Sequence, residues 1–222
     1  MTVVSETVIV IDFETTDLYP EQGGRATEVA AVVVADGAIV DRFQSLMNAG
    51  VRIPPFIESL TGISNRMIRQ APGAADVMRQ LAEFIGEIPL VAHNAAFDSK
   101  FLQAELLRVG QPQRAPMLCS MRMARRIYPT APNHQLATLV RHARVAETGS
   151  YHRALADAEM TAGLWLRMHE ELERSFNLER VPLALLQKIQ SAPCKGLRVC
   201  VEAYLRSCAI PDSMNGRNVD KF

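Results

Sequence analysis

The sequence predicts an α/β fold, a mixed β-sheet flanked by α-helices, and three observations carry the prediction. Short apolar runs with β-branched residues come early, an Asp36-Gly37 pair separates two of them, and longer stretches with helical periodicity then alternate with short strands. A meander followed by alternating helices and strands needs antiparallel and parallel pairing in one sheet.

The elements follow in chain order. Val8 to Phe13 reads as a buried strand and Thr27 to Ala35 as a second. Asp36-Gly37 turns the chain into a third, Ile39 to Met47, because Asp-Gly suits the tight turn whose twist matches a hairpin. Helical patterns come after Pro54-Pro55, the clearest from Ala74 to Gly86, and Leu90 to His93 is a short strand. A helix from Ala95 to Val109 is stopped by Gly110 and Pro112. A strand at Met117-Cys119, a helix from Ser120 to Ile127, a Pro-containing turn from Tyr128 to Asn133 and a helix from Gln135 to Ala143 lead to a long helix from Arg153 to Arg174. Beyond it, Val181 to Ile189 and Cys194 to Tyr204 read as two further pieces, the first with Leu185, Leu186 and Ile189 on one side.

At 222 residues and 48% apolar composition the chain can bury a full core. One domain over residues 1–175, with a basic helical appendage over 176–222, is the expected organisation. The 24 basic and 24 acidic residues cancel overall, but residues 176–222 hold 7 basic and 4 acidic side chains, so the tail is the basic part. Met1-Thr2-Val3-Val4-Ser5-Glu6 has no basic leader, and no apolar run approaches the roughly 20 residues of a membrane span, so a cytoplasmic location without membrane contact is expected. Cys119, Cys194, Cys200 and Cys208 lack close ligand-pair spacing and are read as reduced thiols.

Three acidic segments carry the chemistry. Asp12 and Glu14 are two apart on a strand and leave the same face, where they repel unless a cation lies between them. Asp98 stands in the first turn of a helix, where the dipole alone would favour it, but the preceding strand ends at His93-Asn94, and ligands gather beyond strand ends in such sheets. Asp157 shares a helical face with Met160, Thr161, Leu164 and Met168, a stripe that should be buried. A buried carboxylate needs a cation, from a metal or from an arginine of another element. His152 lies five residues earlier, and Gly149-Ser150 suggests that the helix starts after it, leaving the imidazole on a loop where it can take a proton near neutral pH.

The set Asp12-Phe13-Glu14-Thr15-Thr16, His93-Asn94-Ala95-Ala96-Phe97-Asp98 and His152-x4-Asp157, in this order, resembles the DEDDh exonucleases of the DnaQ-like superfamily, above all the proofreading epsilon subunit type of DNA polymerase III. The likeness covers roughly residues 5–175, and the Ile53 to Ile63 stretch fits it. The tyrosine variant of the family needs Tyr four residues before the last Asp, and Arg153 stands there. The resemblance implies an RNase H-like sheet, two Mg²⁺ or Mn²⁺ ions held by Asp12, Glu14, Asp98 and Asp157, and His152 as general base. It further implies that Thr15, Thr16 and Leu18, with His93 and Asn94, meet the terminal nucleotide. The implied activity is 3′→5′ release of 5′-mononucleotides from single-stranded or frayed DNA ends, in proofreading or repair, with a DNA polymerase subunit as a potential partner. RNA 3′ ends are the alternative substrate, and a non-catalytic scaffold binding a polymerase or nucleic acid is the alternative of another class. Asp17 departs from the family's glycine, and a left-handed residue is expected there. Arg122, Arg125, Arg126, Arg141, Arg144 and Arg153 are candidates for a strand path or for solvated helix faces.

Overall fold

Strands β1 (Val8–Thr15), β2 (Ala26–Ala35) and β3 (Ala38–Leu46) form an antiparallel meander, and β4 (Leu90–Ala92) and β5 (Met117–Cys119) join it in parallel with β1. The sheet order is β3-β2-β1-β4-β5. The computed structural model describes residues 6–112 and 114–209; the N-terminal Met1-to-Ser5 part of the leader reading and positions 210–222 of the expected appendage lie outside them.

Alternation along β1 sorts the core into two layers. Val8 and Val10 face one side, with Ala30, Val32 and Val34 of β2, and pack against α5 (Ser120–Ile127), α7 (Ala154–Phe176) and α8 (Leu183–Ser191). Ile9, Ile11 and Phe13 face the other, against α3 (Ala74–Ile85) and α4 (Ala96–Arg108). Both faces of β1 are covered, which is why its sequence is an almost unbroken apolar run until the carboxylates begin. Trp165 of α7 is 2% exposed, and truncating such a side chain to Ala costs about 3–5 kcal/mol through lost transfer energy and the cavity left. Gly163 lets α7 approach its neighbour, since a Cβ there would meet Val145 Cγ1 at 2.6 Å.

The edges are handled differently. β3 carries Asp41 and Arg42 on an exposed strand, charges that discourage pairing with another chain. β5 has three residues and is screened by α8, whose Gln190 Oε1 accepts from Cys119 N at 3.0 Å. Arg126, a candidate for a strand path or for a solvated helix face, serves as neither: it donates through Nε to Ala192 O at 2.8 Å at the end of α8. Leu185, Leu186 and Ile189 are buried in the same cluster as α5 and α7, and Val201 of α9 (Leu197–Ala209) joins them.

Asp36 and Gly37 take φ of 50° and 76°, the pair of left-handed residues the tight hairpin requires. Between β3 and α3 lie two short helices, α1 (Pro55–Thr61) and α2 (Asn65–Gln70), joined through Gly62 at φ 70°. Ser64 caps the second by accepting from Met67 N at 3.2 Å. Neither is long enough for periodicity to show it. α6 (Leu136–His142) then leads to the loop before α7, which begins at Ala154 and leaves His152 outside the helix, as expected.

Candidate active site

β1 runs beyond its parallel neighbour: only Ile9 and Val10 pair with β4, while the strand continues to Thr15. The edge of β1 facing β4 is therefore open at Phe13, and its N–H donates to Asp98 Oδ1 at 3.2 Å. That bond brings the first turn of α4 to the end of β1, so Asp98 reaches the same place as Asp12 and Glu14, which lie on the α7 face with Val8 and Val10.

Asp157 comes from the other side. Its Oδ2 accepts from His152 N at 3.0 Å, while Oδ1 is buried with no hydrogen-bond partner. Met160, Thr161, Leu164 and Met168 are all 2% exposed or less, so the helix phase read from sequence is the true one. Ligand atoms of Glu14, His152 and Asp157 lie within 4.8 Å of one another. The cleft, about 360 Å³, is lined by all four carboxylates, His152, Thr15, Asp17, Leu18, His93 and Asn94, and by Ile57 and Leu60 of α1.

Electrostatically the four acids are in conflict. Burial holds the Asp12 carboxyl well above its usual range, and the charges of Asp98, Asp157, Glu14 and Glu28 push further. Glu14 is raised to about 8 by burial and then by Asp157, Glu28 and Asp98, with Arg153 opposing. Burial lifts Asp98 to about 7 against the Phe13 N–H bond, and it raises Asp157 against the His152 N–H bond. Four carboxylates sharing one cleft cannot all ionise without cations among them. An all-oxygen set with one buried orphan oxygen fits hard divalent ions such as Mg²⁺ or Mn²⁺.

The neutral surroundings are more constrained than the sequence suggests. Thr15 Oγ1 donates to Asp17 O at 2.7 Å, and Thr16 Oγ1 accepts from Arg25 N at 3.0 Å; Thr16 stands behind the cleft and does not line it. His93 has both ring nitrogens engaged, Nδ1 with Ser120 Oγ at 2.9 Å and Nε2 with His134 O at 3.0 Å. With a carbonyl beyond Nε2, that nitrogen carries the proton and Nδ1 accepts; burial depresses the ring to about 4, so it stays neutral. His93 therefore offers its ring edge to the cleft and no free nitrogen. Asn94 sits at φ 66°, a turn residue that delivers α4. Asp17 departs from expectation: its φ is not positive, and its Oδ1 accepts from Leu18 N at 2.6 Å, so the loop does not need the left-handed residue anticipated there. Leu18 is 63% exposed on the rim. Tyr151 turns away from the acids; its hydroxyl donates to Glu147 Oε1 at 3.2 Å and its ring packs on Val140, Ala156 and Met160.

Two buried carboxylates escaped the sequence reading. Glu28, fully buried on β2, lies directly across from Glu14 and is bound by Arg153 and Ala154. Glu105 of α4 accepts a bidentate pair from Arg25, at 2.7 and 2.9 Å, which ties the loop bearing Leu18 to the helix bearing Asp98. A lone Glu inside the apolar run of β2 was the available signal for the first. Among the described residues no helix is long and apolar enough to cross a membrane, and Cys119, Cys194, Cys200 and Cys208 are free thiols.

Known proteins resemble this chain. The exonuclease family model named for RNase T matches residues 9–165. The chain is 34% identical over 167 residues to the DNA polymerase III subunit epsilon of Aquifex aeolicus, covering 75% of this chain and 82% of that one. It is 38% identical over 165 residues to the PolC-type DNA polymerase III of Bacillus subtilis, 73% of this chain but only 11% of that much longer protein. Among solved structures, exonuclease X in complex with 5′ overhanging duplex DNA superposes with a TM-score of 0.63 at 26% identity, over 82% of this chain and 99% of that one. The family match over residues 9–165 and the identity to the epsilon subunit agree: the chain belongs to the exonuclease family, in its DnaQ-like branch.

Proposed function

We propose that the protein hydrolyses nucleic acid from the 3′ end, releasing 5′-mononucleotides, and that its preferred substrate is single-stranded or frayed DNA. The observation that carries this reading is the convergence of Asp12, Glu14, Asp98 and Asp157 at the open end of β1 with their protonation raised and His152 at their rim. Such a set is costly to fold and has use only when cations and a phosphodiester fill it.

In this reading the four carboxylates hold two divalent ions, which when bound polarise the scissile phosphate and stabilise the leaving 3′ oxygen. His152, exposed on its loop, accepts the proton of the attacking water. Leu18 and Leu60, both exposed and both lining the cleft, offer apolar surfaces for the terminal base, a contact indifferent to sequence. Beyond Asn94 a second groove continues past Ser99 to Arg122 and Arg125, which are exposed and make no ion pair among the described residues. We assign the strand backbone to that groove. Arg126 and Arg153 are tied internally and are not part of it. The polymerase relatives support a replicative or repair setting and a polymerase as partner.

The test is to offer labelled single-stranded DNA, mismatched duplex DNA and RNA of one sequence to the purified protein with Mg²⁺ or Mn²⁺. Stepwise shortening from the 3′ end, fastest on single-stranded DNA and abolished by EDTA, is expected. Degradation that continues in EDTA overturns the reading, and faster RNA shortening reassigns the substrate.

A further inference from the structure

We propose that Glu28 is a positioning residue for His152, acting through Arg153 and the first N–H of α7. The proposal rests on the nuclease reading above, in which His152 is the base.

Glu28 is fully buried beside the cleft, yet its oxygens are not free to hold a cation. Oε1 accepts from Arg153 Nη2 and from Gln44 Nε2, each at 2.8 Å; Oε2 accepts from Arg153 Nε and from Ala154 N, each at 3.1 Å. Four donors occupy the acceptor positions of one carboxylate. The fork of Arg153 matches it in two places, the geometry in which guanidinium fixes orientation as well as charge.

Three of the four donors belong to the two residues that follow His152. Arg153 is the N-cap of α7 but makes no side-chain cap, so the Ala154 N–H is one of the orphan donors of a helix start. Glu28 satisfies it from another strand, 126 residues away in sequence, and sets a negative charge at the positive end of the helix. On the other side, His152 N donates to Asp157 Oδ2. His152, at φ 64°, is thus held directly by Asp157 and indirectly by Glu28, which fixes the two residues that follow it. A non-glycine residue in that region costs on the order of 1 kcal/mol and persists only where neighbours over-determine it. Without Glu28 the indirect hold is lost, the backbone relaxes out of the left-handed region, and the imidazole leaves its place near Glu14 and Asp157.

A plain structural staple would also hold α7 to β2, so the experiment separates the two. Glu28→Gln keeps the shape and removes the charge. Its kcat should fall about 10- to 100-fold with KM changed less than about twofold, the range seen when a supporting partner is lost. In a His152→Ala background the same substitution should cost nothing further. In the metal-free protein, amide exchange over residues 151–156 should quicken by at least about tenfold while the rest of α7 stays protected. Arg153→Lys, which keeps the charge and drops the fork, should give the same pattern and serves if Glu28→Gln does not fold. A loss that multiplies with that of His152→Ala, or unchanged exchange at 151–156, overturns the positioning role alone. A wild-type protein that shortens no nucleic acid overturns the nuclease reading and this role with it.

Discussion

Among the described residues, six carboxylates drawn into or beside the core divide into two kinds. Glu28 and Glu105 are each met by an arginine fork, Arg153 and Arg25, within 3.1 Å. Asp12, Glu14, Asp98 and Asp157 have no such partner; a backbone N–H reaches Asp98 and another reaches Asp157. The contrast is sharpest where strands pair, since Glu14 and Glu28 stand opposite each other. Burial opposes ionisation of both, but the donors around Glu28 outweigh it and hold that carboxyl below its usual range, while Glu14 is pushed to about 8. The protein thus neutralises one set of charges from within and, in the function proposed above, leaves the other for cations. The first set holds the scaffold; the second makes the site.

Removing one acid from each set should therefore have opposite effects on stability. Asp12→Asn should lower nuclease activity to below about a thousandth of wild type, because a shared carboxylate of a metal cleft is lost. The same substitution should raise the melting temperature of the metal-free protein, by relieving repulsion among Asp12, Asp98, Asp157 and Glu14. A metal-free Asp12→Asn protein that melts lower than wild type would break the comparison at its first point.

Glu105→Gln should act in the other direction. It leaves Arg25 without its counter-charge in a largely buried place, and breaking such a pair costs about 3 kcal/mol, read as a lower urea midpoint. Added Mg²⁺ should stabilise this variant as much as it stabilises wild type, because the cleft is untouched. An unchanged midpoint would mean that water already screens the pair.

The smallest effect is the pH trend of the metal-free protein. Glu14 and Asp98 hold protons to higher pH when folded, about 8 and about 7, than their usual 4.5 and 3.8. Between those limits the folded state binds more protons than the unfolded one, so stability falls as pH rises from about 4 to about 8. Saturating Mg²⁺ should flatten that slope, since bound cations favour the ionised carboxylates. Unfolding curves at several pH values, with and without the metal, decide this; a slope that metal leaves untouched would detach the raised carboxyls from the cation site.

Much of the site was legible because its signals are local. Two carboxylates two apart at the end of an apolar strand must share a face, and the 3.6-residue period put Asp157 on the stripe with Met160, Thr161, Leu164 and Met168. Asp36-Gly37 announced its hairpin through backbone chemistry alone. The short helices α1 and α2 were not resolved as separate elements, since seven and six residues give too few turns for a period to appear. His93 was read as a polar group meeting the terminal nucleotide, and only the packed positions of Ser120 and His134 reveal that both its nitrogens are taken.

Sequence by itself determined the strands, the hairpin and the list of acids, because periodicity and turn chemistry act over a few neighbouring residues. Tertiary structure alone decided which acids are answered by arginine and which are not. That outcome depends on partners 80 residues apart, for Arg25 with Glu105, and 125 apart, for Arg153 with Glu28. Whether a buried charge is paired is a property of the space around it, and the chain fills that space only when it has folded.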